Sequence, residues 1–242
     1  MRIYKSVSEA YLGTLRDVYQ NPDYVCAPRG LKILEKTDYI FRVLEPTSDP
    51  VQTFDVERNK IIEDYTKKEF DLYMSCSNQV EDFAKASKFW KNIANHDGTI
   101  NSAYGYLIWK KKSHGNPEFE HKLPKGECTA LQYFSSKRTP WEWCVETLKQ
   151  DKDTRQAILR FSLPEHFYLG NKDMTCTMHG NFLIRDDKLN LAITMRSNDL
   201  NKGLVYDISF FCFLIEKMVE GLKPYYPEIG RASCRERVCQ YV

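Results

Sequence analysis

The chain has 242 residues, 42% hydrophobic and 28% charged, with a formal net charge of +2 at neutral pH. That length suits one domain or at most two, and the composition suits an ordinary soluble core. The near-zero charge gives no footing for direct nucleic-acid binding, no stretch nears the roughly 18 apolar residues of a membrane helix, and "MRIYKSVSEAYLGTL" lacks the continuous apolar run of a signal peptide.

In chain order, residues 1–20 carry spaced apolar positions (Tyr4, Val7, Ala10, Tyr11, Leu15, Val18) and predict a short helix. "GLKILEKTDYIFRVLEP" is β-branched and aromatic and ends at Pro46, which predicts strand. "VERNKIIEDYTKKEFDLYM" and "VEDFAKASKFWKNIAN" predict two helices, the second stopping at "HDG". Thr139, Pro140 and Glu142 form a capping box with proline at the first helical position. "RQAILRFSL" predicts a strand, and "NFLIRDDKLNLAITMRS" predicts a hairpin turning at Asp186-Asp187-Lys188. "DISFFCFLIEKMVEGL" predicts a largely buried helix. Helices interleaved with an antiparallel hairpin favour an α+β class.

Eight cysteines are scattered without a Cys-x-x-Cys pair. Reduced thiols of a cytoplasmic protein are therefore expected, and no metal. The segment "EIGRASCRERVCQYV" breaks the pattern, with three arginines and two cysteines in residues 231–242 and no apolar periodicity. Ile229 to Ala232 read as one frame of a common sequencing adapter. Residues 1–227 are therefore expected to form the domain, and 228–242 to be a non-native tail outside it. The slight basic excess disappears without that tail.

Cys176 precedes the first hairpin strand and "RSND", Arg196 to Asp199, closes the second. A hairpin returns its second strand to the start of the first, so Cys176 and Arg196 are expected to be neighbours. A thiol beside an arginine is expected to have a lowered pKa. Ser197 adds a hydroxyl, and Arg196 offers paired N–H groups to a phosphate. By spacing alone, a small core cysteine and a solvated arginine are the commoner outcome, and the functional reading stands behind them.

The run Cys176 … "FLIRDDKLNLAITMRSNDLNKGLVYD", together with "KKEFDLYMS", "FWKNIANHDGTINSAYGYLIW" and "QDKDTRQAILRF", resembles the thymidylate synthase family. The resemblance is closer to its bacteriophage deoxycytidylate hydroxymethylase branch, where the residue after the nucleophile is Thr177's type rather than histidine. It implies a thymidylate synthase-like α+β fold, with a mixed, largely antiparallel sheet flanked by helices. It further implies 5,10-methylenetetrahydrofolate as cosubstrate, a pyrimidine nucleoside monophosphate as substrate and a homodimer.

Carried over residue by residue, Cys176 resembles the thiolate that adds to carbon 6. Arg196 and Ser197 resemble phosphate ligands, and Arg155 the phosphate arginine given by the partner subunit. Asn181 and Tyr104 resemble residues near the base and the nucleophile. Glu69 resembles the glutamate that organises water, and Trp90 and Asp199 resemble folate contacts. Arg29 lies one position from the expected early phosphate arginine.

Thymidylate synthases place asparagine where this chain has Asp207. A carboxylate only accepts, so it suits the 4-amino group of cytosine and repels uracil's O4. A helix cap at Ile208 is the competing role. The expected activity is deoxycytidylate hydroxymethylation. The alternatives are a thymidylate synthase or deoxyuridylate hydroxymethylase, and an inactive nucleotide-binding remnant. The family's His-x-Tyr sugar element finds no match, so truncation and an exposed sheet edge are expected.

Overall fold

The computed structural model describes residues 1–113 and 138–241. Its elements run β1 (Arg2–Tyr4), α1 (Val7–Gln20), β2 (Tyr24–Cys26), β3 (Ile33–Val43), α2 (Val56–Met74), α3 (Val80–Ala86) and α4 (Tyr104–Trp109). They continue with α5 (Pro140–Gln150), β4 (Ile158–Arg160), β5 (Thr177–Arg185), β6 (Lys188–Met195), β7 (Asn198–Asp199), α6 (Val205–Leu222) and β8 (Gly230–Tyr241).

Local chemistry sets most of these boundaries. Ser6 caps α1 by accepting from Glu9 N, and Asp55 caps α2 by accepting from Glu57 N and Arg58 N. The Thr139–Glu142 capping box starts α5, as its sequence requires. The helix expected across residues 80–95 breaks. Ser87 turns extended, its side chain accepts from Phe89 N, and the chain continues as a 3-10 turn over Lys88–Asn92.

The mixed sheet has the order β1-β3-β8-β6-β5-β4, with β2 paired to β3 and β7 to β8. β5 and β6 form the expected hairpin, with Asp186 and Asp187 both at φ 51° in its turn. A bulge at Met178 interrupts the pairing: Thr177 faces Met195, but His179 faces Thr194. The segment read as a tail outside the domain is placed otherwise. β8 runs antiparallel to β3 and parallel to β6, and Ser233 and Cys234 are buried. Strand addition is driven by backbone hydrogen bonds, so the open edges of β3 and β6 accept the segment despite its unpatterned side chains. The edge expected to be exposed there is filled.

Helices cover one face. α6 is apolar on most sides, and Phe210, Phe211, Cys212, Leu214, Ile215 and Met218 are all buried. Each such side chain contributes about 1.5–3 kcal/mol by leaving water. Phe210 meets Tyr73 at 4.6 Å and Phe70 at 5.8 Å between ring centroids, locking α6 to α2. Trp141 of α5 stands edge-on to Phe182 of β5 at 6.2 Å.

Candidate active site

The open end of the β5–β6 hairpin brings Cys176 and Arg196 together. Arg196 N donates to Cys176 O at 2.9 Å, and Arg196 Nη2 lies 3.6 Å from Cys176 Sγ. The same guanidinium is tied to the backbone, donating to Thr175 O at 3.1 Å and to Met174 O at 2.6 Å. Nη1 has no partner among the described residues and is the donor left for an anion.

The Cys176 thiol is pushed up, against the sequence expectation. Burial is the largest cause; Arg196 and a Ser197 hydrogen bond pull it down, while Asp207 and Asp173 push it up. Desolvation of a thiolate outweighs one arginine that is shared with two carbonyls.

Two carboxyls are buried together in the helical layer, Glu69 and Asp207, and the second of them acts on this thiol. Glu69 is 7% exposed on α2, although its neighbours Lys67 and Lys68 are exposed. Burial and the nearby Asp207 raise its pKa to about 8. Hydrogen bonds from the Tyr73 and Tyr65 hydroxyls only partly offset this. Asp207 is raised to about 7 by burial, offset by a hydrogen bond from Asn198. It does not cap α6. A π-helical turn over Leu200–Leu204 leads into the helix at Val205, so Asp207 lies inside the first turn.

Tyr104, on α4, is buried beneath the thiol. Its hydroxyl oxygen accepts from Thr177 Oγ1 at 2.9 Å and from Thr177 N at 3.3 Å. Its pKa is raised well above the tyrosine range by burial, then by Asp207 and Cys176. Trp90 is half-buried in the 3-10 turn and packs edge-on against Phe83 at 4.9 Å. Its indole N–H lies beside the Tyr65 hydroxyl, without a hydrogen-bond partner of good geometry.

The remaining expected residues lie apart from this cluster. Asp199 is half-buried and caps the π-helical turn, accepting from Asn201 N at 2.8 Å and Lys202 N at 3.0 Å. Arg155 is exposed on the turn before β4. Asn181 pairs with Ile158 and Ala192, on the face opposite Phe182 and α5. The Met178 bulge explains this. It reverses the alternation between Thr177 and the rest of β5, so Asn181 no longer shares the face of Thr177. The Arg29 side chain lies outside the described positions.

Several residues of the site were missed. Tyr65 and Tyr73 are two of them; with the expected Glu69 they form an i, i+4, i+8 stripe on α2, a spacing visible in the sequence. Asn198 lay inside the "RSND" motif. Asp173, three residues before the thiol, is buried and accepts from Ser102 N at 2.9 Å and Ser102 Oγ at 2.5 Å, fixing the loop ahead of Cys176. Among the described residues no cluster could hold a metal, and no helix is long and apolar enough to cross a membrane.

The thymidylate synthase family model matches residues 10–225. The deoxycytidylate 5-hydroxymethyltransferase of Enterobacteria phage T4 is 28% identical over 165 residues, covering 66% of this chain and 57% of that protein. The thymidylate synthase of Bacillus atrophaeus is 25% identical over 156 residues, covering 64% of this chain and 59% of that protein. The matched stretches thus span under two thirds of the length of these relatives. Among solved structures, thermostable thymidylate synthase A from Bacillus subtilis superposes with a TM-score of 0.68 over 98% of this chain and 80% of that one, at 16% identity. With the family pattern running through nearly the whole chain, on this sheet and around this thiol, the protein belongs to the thymidylate synthase family.

Proposed function

We propose that the protein transfers a hydroxymethyl group to carbon 5 of a cytidine monophosphate, with 5,10-methylenetetrahydrofolate as the one-carbon donor. The observation carrying this reading is Asp207, a carboxyl buried beside the thiol and a second carboxyl, where a base edge must be read by hydrogen bonds. An ionised Asp207 accepts from the cytosine 4-amino group and offers nothing to a carbonyl.

In this reading the Cys176 thiolate adds to carbon 6 of the ring, carbon 5 becomes the nucleophile that takes up the one-carbon unit, the carbon-5 proton is lost, and the thiolate departs as water adds to the new exocyclic carbon. Arg196 and Ser197 stabilise the thiolate, and Arg196 Nη1 meets the phosphate. A phosphate drawing on that guanidinium would also loosen its hold on the sulfur. Glu69, largely protonated at neutral pH, positions the water that becomes the new hydroxyl. The donor supplies a one-carbon unit at the oxidation level of formaldehyde. Trp90, with a half-buried ring, offers a stacking face to an aromatic ligand such as a folate. Asp199 retains an oxygen outside its capping bonds for the same ligand. The exposed Arg155 is free to reach the site of a second subunit, which would pack on the sheet face carrying Ile158 and Ala192. Soluble nucleotide and folate substrates put this reaction in the cytoplasm.

One observation favours a second reading. With Asp207 raised to about 7, a neutral carboxyl is well populated and would donate to uracil O4, as in a thymidylate synthase or a deoxyuridylate hydroxymethylase. The test offers deoxycytidylate, cytidylate and deoxyuridylate with labelled methylenetetrahydrofolate. The proposal expects 5-hydroxymethyl-deoxycytidylate and tetrahydrofolate. Thymidylate with dihydrofolate overturns it in favour of the synthase, and nucleotide binding without turnover in favour of a remnant.

A further inference from the structure

Asp207 is held by a neighbour that the reaction itself does not use. Asn198, on β7, is 2% exposed. Its side chain hydrogen-bonds to the Asp207 carboxyl, and its Nδ2 lies 3.3 Å from Met195 Sδ. Gly203 packs against another side. A Cβ there would collide with Asn198 Oδ1 and stand 3.3 Å from Asp207 Oδ2. The π-helical turn over Leu200–Leu204 makes this fit, because its wide winding carries the backbone at Gly203 against the amide. Among the described residues the amide is flanked by a thioether, a bare backbone and the carboxyl it serves.

We infer that Asn198 is a positioning residue: its amide fixes the Asp207 carboxyl in one rotamer and holds it as an acceptor toward the base. The inference rests on the base-reading role proposed for Asp207. The groups facing that carboxyl are acids or neutral hydroxyls: Glu69, Tyr65 and Tyr73 from α2, Tyr104 from α4, and the Cys176 thiol ahead of β5. A second negative charge among them is unwelcome, and among the described residues the contribution favouring it is the Asn198 hydrogen bond. Without that donor the carboxyl stays protonated to higher pH and turns from acceptor to donor. The preference for an amino group over a carbonyl then narrows.

The experiment measures deoxycytidylate and deoxyuridylate binding to the full chain by calorimetry from pH 5.5 to 9, so it needs no turnover. Asn198→Leu keeps the volume and removes the donor. It is expected to cost about tenfold in the deoxycytidylate-to-deoxyuridylate affinity ratio at pH 7, consistent with one lost hydrogen bond to a charged group. The midpoint of the pH dependence should move upward. Asn198→Ser, which returns a donor, should recover part of both. A folded Asn198→Leu protein with the wild-type ratio and midpoint overturns the inference. In the unmodified chain, the Asn198 side-chain amide resonances should move as Asp207 titrates; resonances indifferent to pH overturn it even if neither variant folds. Asp207→Asn separates the two claims. A ratio unchanged by that substitution removes the base-reading role itself, whereas a changed ratio with an inert Asn198→Leu removes only the inference.

Discussion

Glu69 of α2 and Asp207 of α6 are buried together, and burial, helped by the charge of Asp207, holds a proton on Glu69 up to about pH 8. The pair is arranged so that one carboxyl accepts while the other stays neutral, a division of labour that a single environment would not give. The tyrosines at 65 and 73, four residues either side of Glu69, limit how far that neutrality extends.

This burial sets a pH dependence of stability. Glu69 is raised from an ordinary 4.5 to about 8, so the folded state holds a proton that the unfolded chain releases. The associated stability is fully present below about pH 4.5 and is lost as pH rises through 8. Glu69→Gln should flatten this slope and gain on the order of a few kcal/mol at pH 8.5 relative to pH 5. Urea titrations of both proteins at the two pH values check it.

Cys176 should alkylate slowly at neutral pH and faster as pH passes the ordinary thiol range, because its thiol is raised by burial. Arg196→Ala should shift that profile further upward, since the guanidinium is the largest influence pulling the thiol down. Iodoacetamide labelling, read by peptide mass spectrometry to separate Cys176 from Cys26 and Cys76, measures it. Cys176→Ser should lower any turnover by roughly a thousandfold or more.

Gly105 lies in α4 directly against α2. A Cβ there would collide with the Tyr73 carbonyl, which is backbone and cannot rotate away. Gly105→Ala should therefore destabilise by about 1–3 kcal/mol despite the better helix propensity of alanine. Because Tyr104 is the adjacent residue, nucleotide affinity should fall with it. Thermal melts and calorimetry read the two effects separately.

β8 makes its own prediction. A chain ending at residue 227 would leave β3 and β6 unpaired along the middle of the sheet. It should lose cooperative unfolding and aggregate on concentration. An unchanged melt would mean that residues 230–241 contribute nothing to the folded protein.

What could be read from the residues was what local chemistry decides. The capping box at Thr139, the aspartate turn of the hairpin and the apolar run of α6 each carry their own signal. So does the meeting of Cys176 and Arg196, which follows from hairpin geometry. What could not be read depended on the surroundings. The direction of the Cys176 shift reflects desolvation by a helical layer drawn from distant segments. The burial of Glu69 within "KKEF" follows from the packing of α2 against α6, and the break at Ser87 from a side-chain cap that competes with an otherwise good helix. β8 has no apolar alternation, and its place is set by two open edges far from it in the chain.

The Met178 bulge makes the strand unequally tolerant of insertions and deletions. Upstream of it Thr177 points at Tyr104, and downstream Gly180, Phe182 and Ile184 point at the core. Losing this one residue would restore unbroken alternation and force a choice: either the core side chains or Thr177 and its neighbouring thiol would turn to the wrong face. The Asp186-Asp187 turn, by contrast, could lengthen without changing which face any residue of either strand presents. Divergence by gain or loss of residues is therefore open at the tip of this hairpin and closed at its base.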